Sequence, residues 1–93
     1  MTPDIKMVRA VRVKALPDYR LEITFDDGFS GVLPLAHLIK PGRVTGPLMD
    51  PDFFARVFVE MGVPTWPNGF DIDAINAWMK LRDAGELRLA EAA

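Results

Sequence analysis

The chain holds one histidine, His37, and no cysteine. A lone imidazole titrates near neutral pH and can serve as a general base. Nucleophilic catalysis also needs an oriented nucleophile, and a metal site needs several ligands. His37 sits in the apolar stretch Leu35-Ala36-His37-Leu38-Ile39 with no such residue beside it. It therefore reads as a structural or surface residue. The missing cysteines exclude disulfides, thiol catalysis, iron–sulfur clusters and cysteine zinc sites.

Four carboxylates come in two close pairs, Asp26 with Asp27 and Asp71 with Asp73. Such pairs can hold a hard cation or divide acid and base roles. Both have a simpler reading. Asp26-Asp27-Gly28 is hairpin-turn chemistry, and Asp71 or Asp73 stands where a helix start wants a cap. Pro41-Gly42-Arg43-Val44-Thr45-Gly46-Pro47 has the glycines of a phosphate loop. It lacks the Gly-Lys-Ser/Thr of a nucleotide site and the third glycine of a dinucleotide fingerprint. It reads as a plain loop with Arg43 at its tip, the residue there for any anion to meet. The residues thus predict no catalytic group, no cofactor, no metal ligand and no enzyme. A small-ligand site would require His37, Arg43 and the Asp71 region to meet in one pocket.

Two further groups of residues suit binding. Arg9, Arg12 and Lys14 run along the start of the chain, and basic residues on a strand can meet phosphates. They can equally guard a sheet edge against unwanted pairing. No aromatics are interleaved with them, so base stacking has little support. Aromatics gather in the second half, with Trp66, Trp78, Phe53, Phe54, Phe58 and Phe70. Most are needed for the core of so small a domain. The corner Trp66-Pro67-Asn68-Gly69-Phe70-Asp71 is the candidate contact surface, with Trp66 or Phe70 as a partly exposed anchor flanked by Asn68 and Asp71.

The elements that must position these residues follow from periodicity. In residues 7–16, Val11, Val13 and Ala15 alternate with Arg12 and Lys14, the pattern of a half-buried strand. Leu21, Ile23 and Phe25 alternate with Arg20, Glu22 and Thr24 in a second strand, and residues 29–33 make a third. Pro17-Asp18 and Asp26-Asp27-Gly28 are the turns between them. Pro34 ends the third strand. Residues 35–39 suit a short helical turn and residues 40–49 a loop. Asp50-Pro51 opens a short helix over about 51–56, with Asp50 as cap. Residues 57–61 alternate as a fourth strand. Residues 73–84 form an amphipathic helix whose stripe is Ile72, Ile75, Met79 and Trp78, closed by Gly85. Residues 86–93 read as another helical turn or a frayed tail. The predicted fold is α+β: a three- to four-stranded, mainly antiparallel sheet with one short helix and a C-terminal helix.

The chain has 93 residues, 49% of them hydrophobic and 26% charged, which fits one small folded domain. No apolar run approaches the roughly 20 residues of a membrane span. No secretory signal is visible, so the cytoplasm is the expected compartment. Net charge is −2, unevenly placed: residues 1–20 carry five basic residues against two acids, and residues 21–93 six against eleven. An acidic whole argues against a dedicated nucleic-acid binder, while the basic start keeps a local version of that idea as the alternative.

Phe25-Asp26-Asp27-Gly28, then Pro47-Leu48-x-Asp50-Pro51-x-Phe53, then the strand into Trp66-Pro67-Asn68-Gly69-Phe70-Asp71 occur in an order that resembles the small bacterial proteins of Domain of Unknown Function family 2442. The resemblance spans about residues 8–76. Family members continue past the Trp-Pro-Asn-Gly-x-Asp motif with a Cys-Pro-Asp-x-Leu-Tyr type segment. Here Ile72-Asp73-Ala74-Ile75-Asn76-Ala77 replaces it, followed by a longer helix. The resemblance implies a compact α+β fold and transfers no activity. Relatives fused to helix-turn-helix domains, or encoded beside toxin-like proteins, imply a partner-binding and antitoxin-like role. The leading expectation is a protein-interaction domain that binds a partner or a second copy, through the Trp66–Asp71 corner or an exposed strand edge.

Overall fold

The structure, a computed structural model, describes residues 7–90. The three strands expected from alternation form an antiparallel meander: β1 (Ala10–Leu16), β2 (Arg20–Phe25) and β3 (Phe29–Pro34). Asp18 and Tyr19 adopt left-handed backbone, with φ of 64° and 56°, to turn β1 into β2. Gly28 does so at 90° between β2 and β3 and donates to the Phe25 carbonyl at 3.1 Å. That is the three-residue hairpin loop with glycine at its last position. Asp27 Oδ1 accepts the Phe29 N–H at 3.1 Å and completes the turn.

Alternation holds in β2, where Leu21, Ile23 and Phe25 are buried. In β1 it breaks. The β1–β2 register shifts between Ala10 and Arg12, so Ala10 takes the buried place and Val11 is 56% exposed. An inserted residue of this kind turns the side chain it carries off the face it would otherwise share. Val11 therefore does not join Val13 and Ala15, which pack against the core.

The expected fourth strand proves to belong elsewhere. Residues 57–61 contribute β4 (Phe58–Glu60) to a separate hairpin with β5 (Val63–Thr65). Met61 and Gly62, with φ of 52° and 79°, make its two-residue turn. The fourth strand of the main sheet is β6 (Arg88–Leu89), in the order β1-β2-β3-β6. Its residues lie in the stretch read from sequence as a turn or tail.

The helix α2 (Ala74–Asp83) explains why. Asp73 caps its start, accepting the Ile75 N–H at 3.2 Å. At its end Gly85, with φ of 70°, donates to the Arg82 carbonyl at 3.0 Å, and Glu86 donates to the Leu81 carbonyl at 2.8 Å. This paired helix stop reverses the chain and lays Arg88 and Leu89 along β3. The buried stripe of α2 is Ala74, Ala77, Trp78 and Leu81. Of the expected stripe only Trp78 is fully turned in; Ile75 and Met79 are half-buried on the flanks. Alanines on the inner face allow a close approach of helix to sheet. Trp78 Nε1 donates to Asp27 Oδ2 at 3.0 Å and helps to fix the helix rotation.

The short helix α1 (Pro51–Phe54) starts where expected, with Asp50 Oδ1 accepting the Asp52 N–H at 3.0 Å. It stops two residues earlier than the sequence suggests. Residues Ala36–Leu38 form the expected helical turn, and Gly46–Met49 form a second 3-10 turn inside the predicted loop. The core lies between the sheet and these elements. Leu21, Ile23, Phe25 and Leu33 meet Leu48, Phe54, Trp66 and the inner face of α2. Among the described residues, no helix is long and apolar enough to cross a membrane.

Candidate functional site

The Trp66–Asp71 corner repeats the geometry of the first hairpin. Gly69, with φ of 91°, donates to the Trp66 carbonyl at 2.9 Å, and Asn68 Oδ1 accepts the Phe70 N–H at 3.2 Å. Phe25-Asp26-Asp27-Gly28-Phe29 and Trp66-Pro67-Asn68-Gly69-Phe70 are thus two copies of one turn. In each, a carboxylate or amide oxygen holds the N–H two residues on.

This geometry removes Trp66 from the candidate surface. Its relative exposure is 0%, and its Nε1 donates to the Phe54 carbonyl at 2.9 Å. Tyr19, Phe54, Trp66 and Phe70 form a continuous aromatic spine, with successive ring centroids 5.4, 5.6 and 5.7 Å apart. A ring with neighbours on both sides is a core residue. Asn68 is also occupied, since its Nδ2 donates to the Val44 carbonyl at 2.9 Å and ties residues 40–49 to the corner. Phe70 is half-buried and Asp71 is exposed. Of the four residues expected at this corner, Trp66 alone is buried; Asn68 is exposed but held by its bonds, and Phe70 and Asp71 line an open surface.

That surface is a groove of about 520 Å³ between β3 and α2. Leu33, Leu35, Ile72 and Leu81 contribute apolar lining, with His37, Asp71, Asn76 and Lys80 as polar lining residues. His37 and Asp71 therefore share a groove. Arg43 does not line it, so the three-residue ligand constellation is not assembled. Asp73, though also at the groove, spends one carboxylate oxygen on the helix cap. Asn76 and Lys80 drew no attention in sequence, because neither stands in a motif.

The basic residues divide in the same way. Arg9 has structural contacts: its N–H donates to Asp26 Oδ1 at 3.2 Å and its Nη2 to the Met61 carbonyl at 3.4 Å. Its side chain also lies so close to Gly62 that a Cβ there would come within 2.7 Å of Nε. Arg43 is exposed on its loop. Arg12 and Lys14 are exposed on the face of the sheet that α2 leaves open. Cross-strand register places Arg12 opposite Thr24, Thr24 opposite Ser30, and Ser30 opposite Arg88. Lys14 stands opposite Glu22. Arg20 and Arg88 are exposed on this face as well.

The edge of the sheet beside Arg12 and Lys14 is the remaining feature. Leu35 N–H donates to the Tyr19 carbonyl at 2.9 Å, which continues the β2–β3 register. Odd-numbered residues of β2 thus bond toward β3 and even-numbered ones toward β1. Across the β1–β2 register, Arg12, Lys14 and Leu16 bond inward, while Val13 and Ala15 aim their N–H and C=O outward. On that side Ala10 N–H reaches the Gly62 carbonyl at 2.8 Å. Beyond Ala10, among the described residues, no strand continues the ladder. Residues 31–34 of β3 also extend past β6. There the outward-facing residues are Val32 and Pro34, and proline has no N–H to give.

Fold and surface together define a small α+β domain in which, among the described residues, β1 is an edge strand of the main sheet, with the β4–β5 hairpin packed beside it at Ala10. The chain belongs to the family described as protein of unknown function (DUF2442), whose sequence profile matches residues 10–78. The matched segment runs from the start of β1 into α2 and stops before β6. No curated protein and no solved structure matches the chain.

Proposed function

We propose that this domain is a protein-interaction module that binds its partner by strand addition along the outer edge of β1. The observation that carries the reading is the pair Val13 and Ala15, whose outward backbone groups have no partner strand among the described residues. Such an edge offers two donors and two acceptors in register, and main-chain bonds of this kind supply affinity in strand-addition complexes. The proposal assigns no catalytic residue, cofactor or metal, and its setting is the cytoplasm. An antitoxin-like role, implied by family resemblance alone, is its narrower form. The second reading is nucleic-acid contact through the open face, favoured by Arg12, Lys14, Arg20 and Arg88 lying there together.

The test is affinity capture from the native cells with the wild-type chain and with Val13→Pro, each with and without nuclease. Proline at residue 13 removes an N–H that bonds no strand among the described residues and leaves the β1–β2 ladder in place. Circular dichroism checks the fold of the variant. A stoichiometric protein that survives nuclease and is lost with Val13→Pro is the expected result. A partner retained by a folded Val13→Pro variant, or a recovery abolished by nuclease, contradicts the proposal.

A further inference from the structure

Resting on the strand-addition reading, we infer that the segment which pairs with β1 alternates acidic and apolar side chains, and that it is not a second copy of this chain. The inference comes from what lies on either side of the open edge. An added strand continues the pleat, so its side chains point alternately to the two faces of the sheet. On the inner face they land beside Val13 and Ala15, which are partly buried against the core. An apolar residue there extends the core outward. On the open face they land beside Arg12 and Lys14, both exposed. Opposite charges in adjacent strands attract, and like charges repel. Arg12 faces Thr24 on β2, so no acid stands directly opposite it there, whereas Lys14 faces Glu22. The edge is therefore matched to a strand with a carboxylate near Arg12.

The same charges disfavour self-pairing. Two copies of β1 can meet antiparallel with Val13 and Ala15 in the bonded positions. A register centred on Val13 sets Arg12 against the second copy's lysine, twice by symmetry. A register centred on Lys14 sets two lysines face to face. Placing like charges directly opposite is destabilising in an antiparallel pair. Charge on an edge strand is a common device against self-association. Here it leaves the backbone groups of Val13 and Ala15 available to an oppositely charged strand.

The test uses the whole chain and two capped peptides of about six residues, the common length of a strand. One alternates glutamate with valine and the other alternates lysine with valine. Titrations are followed by amide NMR, with hydrogen exchange measured at Val13 and Ala15. The acidic peptide should bind, slow exchange at both amides, and bind at least about tenfold more tightly than the basic one, a difference of roughly 1.4 kcal/mol. The double variant Arg12→Glu/Lys14→Glu should reverse that preference, which guards against loss of binding through misfolding. Equal binding of both peptides, with both amides protected, overturns the charge rule and leaves strand addition standing. Binding of the acidic peptide with no protection at Val13 overturns the inference and removes support from strand addition too. Failure of the acidic peptide to bind overturns the stated partner chemistry, while the Val13→Pro capture still decides whether the edge is used. Dimerisation that is lost with Val13→Pro overturns the exclusion of a second copy. Tighter binding of a thymidine oligonucleotide of about twelve units, a length within single-strand site sizes, overturns the acidic-peptide assignment in favour of nucleic acid.

Discussion

Trp66 decides how the Trp-Pro-Asn-Gly corner is understood. Its fully buried ring packs against Phe54 and Phe70, and its Nε1 satisfies the Phe54 carbonyl. Trp66→Phe keeps most of the apolar area and strands that carbonyl, for an expected loss of about 1–3 kcal/mol. Trp66→Ala opens a cavity as well and should cost about 3–5 kcal/mol. Urea unfolding of the two variants measures both losses, and a near-neutral Trp66→Ala would return the residue to the surface. Residue-scale chemistry was partly legible in sequence. Asp50, and one of Asp71 and Asp73, were readable as caps because capping depends on local spacing alone. The side on which Trp66 lies was not readable. It sits in a turn, where no periodicity assigns a face, and its partners Phe54 and Phe70 are fixed only by the tertiary fold. The link from Asn68 to Val44 escaped for the same reason, since 24 positions separate them.

Among elements, the meander of β1, β2 and β3 and the helix α2 were legible because each repeats its period over several residues. The bulge at Val11 and the strand β6 were not. A bulge adds a single residue, and β6 has only two residues, too few to alternate. What places β6 is the helix stop at Gly85 together with Gly31 on β3. Gly31 is buried, and a Cβ there would come within 2.9 Å of Leu81 Cδ1 and 3.2 Å of the Glu86 carbonyl oxygen. The glycine lets the chain leaving α2 pass closely over the sheet. Gly31→Ala should therefore destabilise the domain by about 1–3 kcal/mol, the usual range for overpacking. Denaturant titration gives the loss. Amide exchange should place the local opening at Arg88 and Leu89, and an unchanged β6 with full stability would show that the close approach is not needed.

For the whole molecule, the sheet has an asymmetry that composition could not show. One face carries the core. The other is open, with Arg12, Lys14, Arg20 and Arg88 exposed on it, although the chain is acidic overall. One edge ends in β6 and Pro34, and the other ends in β1, where the backbone N–H and C=O groups of Val13 and Ala15 aim outward. The uneven charge along the sequence hinted at the basic face. The open edge could not be read, because which strand is outermost depends on sheet order. The central claim is that this edge is free in the domain and is closed by a partner. Amide hydrogen exchange across β1, measured on the dilute domain alone and with the partner captured from native cells, tests it most directly. The account predicts fast exchange at Val13 and Ala15 beside protected Arg12, Lys14 and Leu16 in the free domain, and protection of all five in the complex. Protection of Val13 and Ala15 in the dilute free domain, or no change when the partner binds, would contradict it.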